Sequence, residues 1–374
     1  MSTSSIWPCK KKQPATSSSP SRKPITPFSL KSSTINMSSS TNITPPPADL
    51  AGKVILITGG TSGLGAASAV QLARQGPSRI YIAGRRPDAF ERVAEQIKCD
   101  LQTRASRIPD IKFLPCDLSD LSSVRAAADH ILAHEDRLDV LMANAGVAAV
   151  PHAFTRDGYE VQFATNHLGH ALLVRKLLPL LEKSRGRVVS VASFGYRGAT
   201  GFGFERIKRS RVLEVSEKKG VNFKDAGSDD DLSGSDPTQD DIFGIARWKR
   251  YSESKLANVV YAQELARRYP DSVVSVGVTP GFVWTGMVEG MSFGDRLGTR
   301  MLAALTGGKL VEPEEGARNQ VWAATVDGQE LKNGGLYDPV GVHVDAAKMS
   351  AAAKDEILGE RLWEWTEREI ERWL

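Results

Sequence analysis

Val54-Ile55-Leu56-Ile57-Thr58-Gly59-Gly60-Thr61-Ser62-Gly63-Leu64-Gly65 is an apolar run that ends in a cluster of glycines. Its first residues are β-branched and apolar without alternation, the pattern of a strand buried on both faces. The amphipathic stretch 63–75 that follows reads as a helix. Gly59 permits a sharp turn, Gly63 lets the backbone approach a pyrophosphate, and Gly65 lets the helix pack close to the strand. Ser62, Gly63 and Leu64 stand at the helix start, where free N–H groups and the positive dipole end favour an anion. The spacing is T-G-x-x-x-G-x-G rather than G-x-G-x-x-G, so its meaning comes from its place between a strand and a helix.

The same pattern extends outward. Ile80-Tyr81-Ile82-Ala83, Lys112-Phe113-Leu114, Val140-Leu141-Met142, Val188-Val189-Ser190-Val191 and Val273-Val274-Ser275-Val276 read as further buried strands. Helical stretches lie between them, near 88–105, 121–135, 157–183 and 251–268. This alternation predicts an α/β chain with a single Rossmann-type doubly wound parallel sheet and helices on both faces. Gly335-Leu336-Tyr337 is the candidate seventh strand.

The 374 residues are 41% hydrophobic and 25% charged, which excludes fibrous and wholly disordered classes. No apolar run approaches the roughly 18 residues of a membrane-spanning helix. Residues 1–47 carry six bases (Lys10, Lys11, Lys12, Arg22, Lys23, Lys31) and no acid. Removing those six from the net +4 leaves the remainder at −2, so no nucleic-acid footprint is expected. The Ser/Thr/Pro-rich composition of 1–47 reads as a disordered tail before a domain at 48–374. A cytoplasmic protein is expected, with organelle targeting through 1–47 as the alternative. Cys9, Cys99 and Cys116 are too few and too scattered for a disulfide framework or a zinc site, so no metal is expected.

Two segments depart from the alternation. Residues 205–250 form a charged insertion, basic over 205–224 and strongly acidic over 225–241, read as a solvated surface loop or else a lid or partner-docking element. Near the C-terminus, Leu358, Leu362, Trp365 and Trp373 recur at roughly helical spacing beside Trp363. A helix packed on the sheet edge or in a homo-oligomer interface is expected, with shallow membrane contact through the Trp residues as the alternative.

Strand ends supply further candidates. Arg85 lies twenty residues past Gly65 with no acid at that strand end, which favours a 2′-phosphate and hence NADP(H) over NAD. Asp117 closes the third strand and can accept a hydrogen bond from an adenine amino group or cap the next helix. Asn144, in Asn144-Ala145-Gly146, closes the fourth, where its side chain can tie neighbouring strands. Tyr251 and Lys255 are four apart on one helix face. A nearby ammonium and an oxidised nicotinamide would bring the phenol, ordinarily near 10, toward working pH.

Taken in order, these motifs, with Asn166, Ser193 and Pro280-Gly281, resemble the short-chain dehydrogenase/reductase family from about Gly52 to the C-terminus. Asn166-His167-Leu168-Gly169-His170 and Ser254-Lys255-Leu256-Ala257-Asn258 are similar to its retinol-dehydrogenase-like and fungal light-induced alcohol dehydrogenase-like branch. The resemblance implies Tyr251 as general acid/base, Lys255 on the nicotinamide ribose and Ser193 on the substrate oxygen. It also implies Asn166 holding a relay water, Pro280 and Gly281 against the nicotinamide carboxamide, and Thr285 near the pyrophosphate. His167 and His170 read as structural. The Met-rich stretch 286–312 is expected to cover a small apolar carbonyl or alcohol substrate, or simply to pack in the core. Two other functions stay open: a catalytically idle NADP(H)-binding sensor or scaffold, and a C=C reductase of the same superfamily.

Overall fold

The computed structural model describes residues 49–208, 245–283 and 310–374. The expectations for the tail 1–47, for Thr285, and for most of the insertion and the Met-rich stretch fall outside these residues.

The main sheet is built from Val54–Thr58 (β1), Arg79–Gly84 (β2), Asp110–Pro115 (β3), Val140–Ala143 (β4), Arg187–Val191 (β5) and Val274–Val278 (β6). Phe282–Val283 (β7) and Leu310–Val311 (β8) form a separate parallel pair, and Leu336–Tyr337 (β9) completes the main sheet. Strand order is β3-β2-β1-β4-β5-β6-β9, with every neighbouring pair parallel. The seventh strand falls where Gly335-Leu336-Tyr337 placed it.

Strand side chains alternate between faces, so each strand feeds two cores. Val54 and Leu56 join one core, Ile55 and Ile57 the other. The first is covered by Leu121–His134 (α3), Gly169–Ser184 (α4), Ile245–Arg268 (α5) and Glu356–Ile370 (α7). The second is covered by Gly63–Ala73 (α1), Pro87–Thr103 (α2) and Arg318–Thr325 (α6). Helices therefore cover both faces. The chain winds one way from β1 through β3 and the other way from β4, which opens a crevice beyond the carboxyl ends of β1 and β4.

Three expectations shift. The helix expected over 157–183 begins as a short turn, Val161–Phe163, passes through a π-helical turn, Ala164–Leu168, and only then continues as α4. Residues before Val161 are held out of the helix by the Phe154–Glu160 bridge, and the Glu160 carboxylate caps the Phe163 amide at 2.8 Å. The helix carrying Tyr251 extends back to Ile245. The edges of the charged insertion are also built into the fold. Phe204–Ile207 forms a helical turn with Ile207 buried, Lys208 bridges to Tyr159, Arg206 pairs with Glu253 at 3.3 Å, and Lys208 pairs with Glu369.

The C-terminal helix is packed in the fold, on α5 and on the Phe204 turn rather than on a strand at the sheet edge. Trp363 stacks on Tyr261 with centroids 5.1 Å apart, and Trp365 stacks on Phe204 at 5.2 Å. Burying these rings in the first core removes two of the three Trp side chains on which a membrane contact depended. No helix of the described residues is long and apolar enough to cross a membrane.

Candidate active site

The turn after β1 is as tight as its glycines imply. Gly59 and Gly63 have φ of +62° and +51°, which favours glycine over any side chain. A Cβ on Gly65 would lie 2.3 Å from the Gly59 carbonyl oxygen and 2.6 Å from Asn144 Nδ2. The space closed by α1 and the strand ends therefore has room only for a hydrogen. Ser62 is the N-cap of α1, but its side chain makes no capping bond. The first-turn amides are thus left to another acceptor.

Asn144 ties strands, as its position suggested. Its Nδ2 donates to the Thr58 carbonyl at 2.8 Å, and its Oδ1 accepts from Gln320 Nε2 at 3.0 Å. The Thr58 hydroxyl oxygen accepts the Asn144 and Ala145 amides at 3.0 and 3.1 Å. Asn144 therefore shapes the crevice, with its side chain committed to protein partners.

Beside the turn, a Cβ on Gly84 would meet the Thr61 methyl at 2.8 Å, so the end of β2 sits directly against the glycine loop. Arg85 follows, exposed and without an acidic partner among the described residues. Asp117 does not cap α3; Asp120 does, accepting the Ser122 and Ser123 amides. Asp117 Oδ1 accepts the Ser119 amide and hydroxyl at 3.0 and 2.7 Å, leaving Oδ2 without a partner among the described residues.

Tyr251, Lys255, Ser193 and Asn166 converge on the other side. Ser193 caps the 3-10 turn Phe194–Gly198 by accepting the Gly195 amide at 3.2 Å. A Cβ on Gly195 would touch the Tyr251 ring at 3.2 Å and Ser193 Oγ at 3.5 Å, so this glycine lets the two meet. Ser193 Oγ and the Tyr251 ring thus flank the same point, the Cα of Gly195. Lys255 Nζ lies 5.9 Å from the Tyr251 ring centroid and donates to the Val191 carbonyl at 2.8 Å. With that one bond among the described residues, the buried ammonium keeps two protons for other acceptors. Asn166 sits in the π-helical turn. Its Oδ1 accepts the Val147 amide at 2.8 Å, and its Nδ2 donates to the Val147 carbonyl and to Ser254 Oγ, both at 2.9 Å. Ser190, by contrast, is buried inside β5 opposite Ala143.

One electrostatic expectation reverses in the protein alone. Burial pushes the Tyr251 phenol up from its usual value, opposed by the nearby Ser193 hydroxyl. Lys255 does not offset this, because burial pushes its own ammonium down to about 8. His167 and His170 are held neutral, pushed to about 3 and about 4 by burial, and both bond protein groups, Thr366 and Thr58. Among the described residues no His, Cys, Asp and Glu cluster gathers as a metal site.

After β6, Gly281 has φ of +74°, and Asn319 Nδ2 holds the turn by donating to the Thr279 and Tyr337 carbonyls at 2.8 and 2.9 Å. Pro280 and Gly281 thus flank the same crevice as the carboxyl ends of β5 and β6. Thr58, Ser254, Asn319 and Gln320 organise the site without any motif that marks them. Their partners are up to 252 residues away, beyond the reach of a local pattern.

A family model described as short chain dehydrogenase matches residues 53–201. Retinol dehydrogenase 11 of Homo sapiens is 32% identical over 84% of this chain and 85% of its own. The short-chain dehydrogenase/reductase drtF of Aspergillus calidoustus is 31% identical over 86% of this chain and 95% of its own. Among solved structures, an uncharacterised Mycobacterium paratuberculosis protein superposes with a TM-score of 0.58 and 28% identity, covering 87% of this chain and 95% of that one. The Pseudomonas aeruginosa RhlG/NADP complex shares the fold, with a TM-score of 0.53 and 21% identity over 79% and 96% of the two chains.

Proposed function

Because this chain belongs to the short-chain dehydrogenase/reductase family, in its retinol-dehydrogenase-like branch, we propose that it is an NADP(H)-dependent oxidoreductase acting on the carbonyl or alcohol of an apolar substrate. The observation that carries this reading is the convergence of Tyr251 and Ser193 around Gly195, with Lys255 buried beside them. The residues present fit a dinucleotide. The uncapped start of α1 suits its pyrophosphate, the free Asp117 Oδ2 suits its adenine amino group, and the spare Lys255 protons suit its nicotinamide ribose hydroxyls. Bound NADPH would supply the hydride.

The chain's own residues would manage the oxygen. Tyr251 donates its phenolic proton to the carbonyl oxygen in reduction and takes it back in oxidation. Ser193 turns its hydroxyl to the same oxygen and stabilises the charge that develops there. Asn166 fixes Val147 and Ser254 behind this group, and Ser254 donates to the Tyr251 backbone carbonyl at 2.7 Å. The surroundings of Tyr251 are aromatic. Trp248 meets its ring edge-on at 5.7 Å, and Phe194 faces Phe282 at 6.4 Å, which supports an apolar substrate.

The exposed Arg85, placed by Gly84 against the glycine loop, supports a 2′-phosphate over a 2′-hydroxyl. Losing a charge-assisted contact of about 1.5–3 kcal/mol weakens binding about 10- to 100-fold. Arg85→Asp is therefore expected to raise the KM for NADPH by that factor and to shift preference to NADH. An unchanged ratio of kcat/KM for the two nucleotides would remove Arg85 from the account.

The pH profile follows from Lys255 and Tyr251. Reduction needs both groups protonated, and with Lys255 down to about 8 and Tyr251 raised, the Lys255 proton leaves first as pH rises. The kcat/KM for reduction, which reports the free enzyme, is expected to be level at neutral pH and to fall through one ionisation near 8. A profile level through pH 10 would contradict this. Mixing the full-length protein with NADPH and a panel of apolar ketones, aldehydes and quinones tests the function itself. Substrate-dependent loss of NADPH absorbance is expected. Tight NADPH binding with no oxidation by any of them would favour an idle nucleotide-binding protein.

A further inference from the structure

His170 lies one helical turn beyond Asn166 and is only 5% exposed. Its Nδ1 is 2.9 Å from the Asn166 carbonyl oxygen, and its Nε2 is 2.8 Å from the Thr58 hydroxyl. A carbonyl can only accept, so Nδ1 carries the ring proton. Burial holds the imidazole neutral, which leaves Nε2 as an acceptor for the Thr58 hydroxyl proton. The Thr58 oxygen in turn accepts the Asn144 and Ala145 amides. An unbroken chain of hydrogen bonds thus runs from the end of β4, through Thr58 and His170, to the π-helical turn of Asn166. From there the Asn166 side chain continues it to Ser254 and the backbone of Tyr251.

We propose that His170 is a positioning residue, which locks the glycine-loop strand to the Asn166 turn and so sets Asn166 behind Lys255 and Tyr251. This rests on the reading of Tyr251 and Lys255 as the reacting pair. A π-helical turn is a local departure from the α-helix that is held in place by its surroundings. The Asn166 carbonyl and side chain both lie within that turn, and Gly146 lets the side chain come close to Lys255. A Cβ there would meet Asn166 Oδ1 at 3.1 Å and Lys255 Nζ at 3.4 Å. Displacing Asn166 by a fraction of an ångström therefore disturbs the surroundings of the ammonium directly. Thr58 is less dependent on His170, because its hydroxyl has the Met142 carbonyl within 3.3 Å as a second acceptor. Loss of His170 should accordingly reach the chemistry more than nucleotide binding.

The test compares His170→Leu with His170→Asn, which retains an N–H near the Nδ1 position. In His170→Leu, kcat per folded molecule is expected to fall about 10- to 100-fold, with the Kd for NADPH changed by less than about threefold. His170→Asn is expected to recover most of the lost kcat. Wild-type kcat in the Leu variant, or an Asn variant no better than Leu, would overturn the proposal. Nitrogen-15 spectra of the imidazole rings, with His170 identified by its loss in the Asn variant, give a reading independent of turnover. A neutral ring protonated at Nδ1 at neutral pH is expected, and an Nε2–H tautomer or a charged ring would overturn the proposal. If the wild-type protein binds NADPH but reduces no carbonyl, the proposed function fails by itself, and the ring spectrum still decides how His170 is held.

Discussion

Tyr251→Phe is expected to lower turnover about 10²- to 10⁴-fold, the usual contribution of a positioned general acid. The substitution deletes one hydroxyl and keeps the ring that packs against Gly195 and Trp248. The groups proposed to face the nucleotide are elsewhere, on the glycine loop, Arg85, Asp117 and Lys255, so the Kd for NADPH should stay close to that of the parent. Stability should change little or rise slightly, because the phenol is buried and the neighbouring Ser193 hydroxyl oxygen already accepts the Gly195 amide. Steady-state kinetics beside fluorescence titration of NADPH check both halves. A fully active Phe variant would sink the mechanism. A variant that lost NADPH binding to the same degree as turnover would make Tyr251 a packing residue.

Gly65→Ala is expected to have the second large effect, on folding and nucleotide binding together. The added methyl would sit 2.3 Å from the Gly59 carbonyl oxygen and 2.6 Å from Asn144 Nδ2. The first neighbour is backbone and the second belongs to an amide group held by the Thr58 carbonyl and by Gln320, so neither can turn aside cheaply. Overpacking of this kind costs about 1–3 kcal/mol or more, a drop in Tm of several degrees. The start of α1 would move off the strand end, and the Kd for NADPH should rise at least about 10-fold. Thermal melts and NADPH titration of the variant read the two effects separately. A melt and a Kd indistinguishable from the parent would show that the turn does not constrain the nucleotide.

Much of this arrangement was legible in the chain before any coordinates. The runs from Val54 to Ile57 and from Val188 to Val191 are apolar on both faces because helices cover both sides of the sheet, and that burial writes itself into the sequence. The glycines at 59, 63 and 65 were legible because each meets a steric demand that no other residue satisfies. Tyr251 and Lys255 declared themselves through helical spacing. The connections behind the site were not legible. Gln320 reaches Asn144 across 176 residues, and His170 reaches Thr58 across 112, and neither contact leaves a periodic trace. The π-helical turn at Asn166 has no propensity signature either, since tertiary contacts hold it. The direction of the Tyr251 shift depended on how deeply both it and Lys255 are buried, which spacing alone does not report.

The most direct test of carbonyl/alcohol chemistry at Tyr251 is where hydrogen from the nucleotide arrives. NADPH deuterated at the transferable C4 position would be supplied to the full-length protein with an apolar α,β-unsaturated ketone, and the product examined by mass spectrometry and NMR. The account predicts one deuterium on the carbinol carbon, with the C=C bond intact and the yield lost in Tyr251→Phe. Deuterium at the β-carbon of a saturated ketone would contradict it and place the chain among C=C reductases.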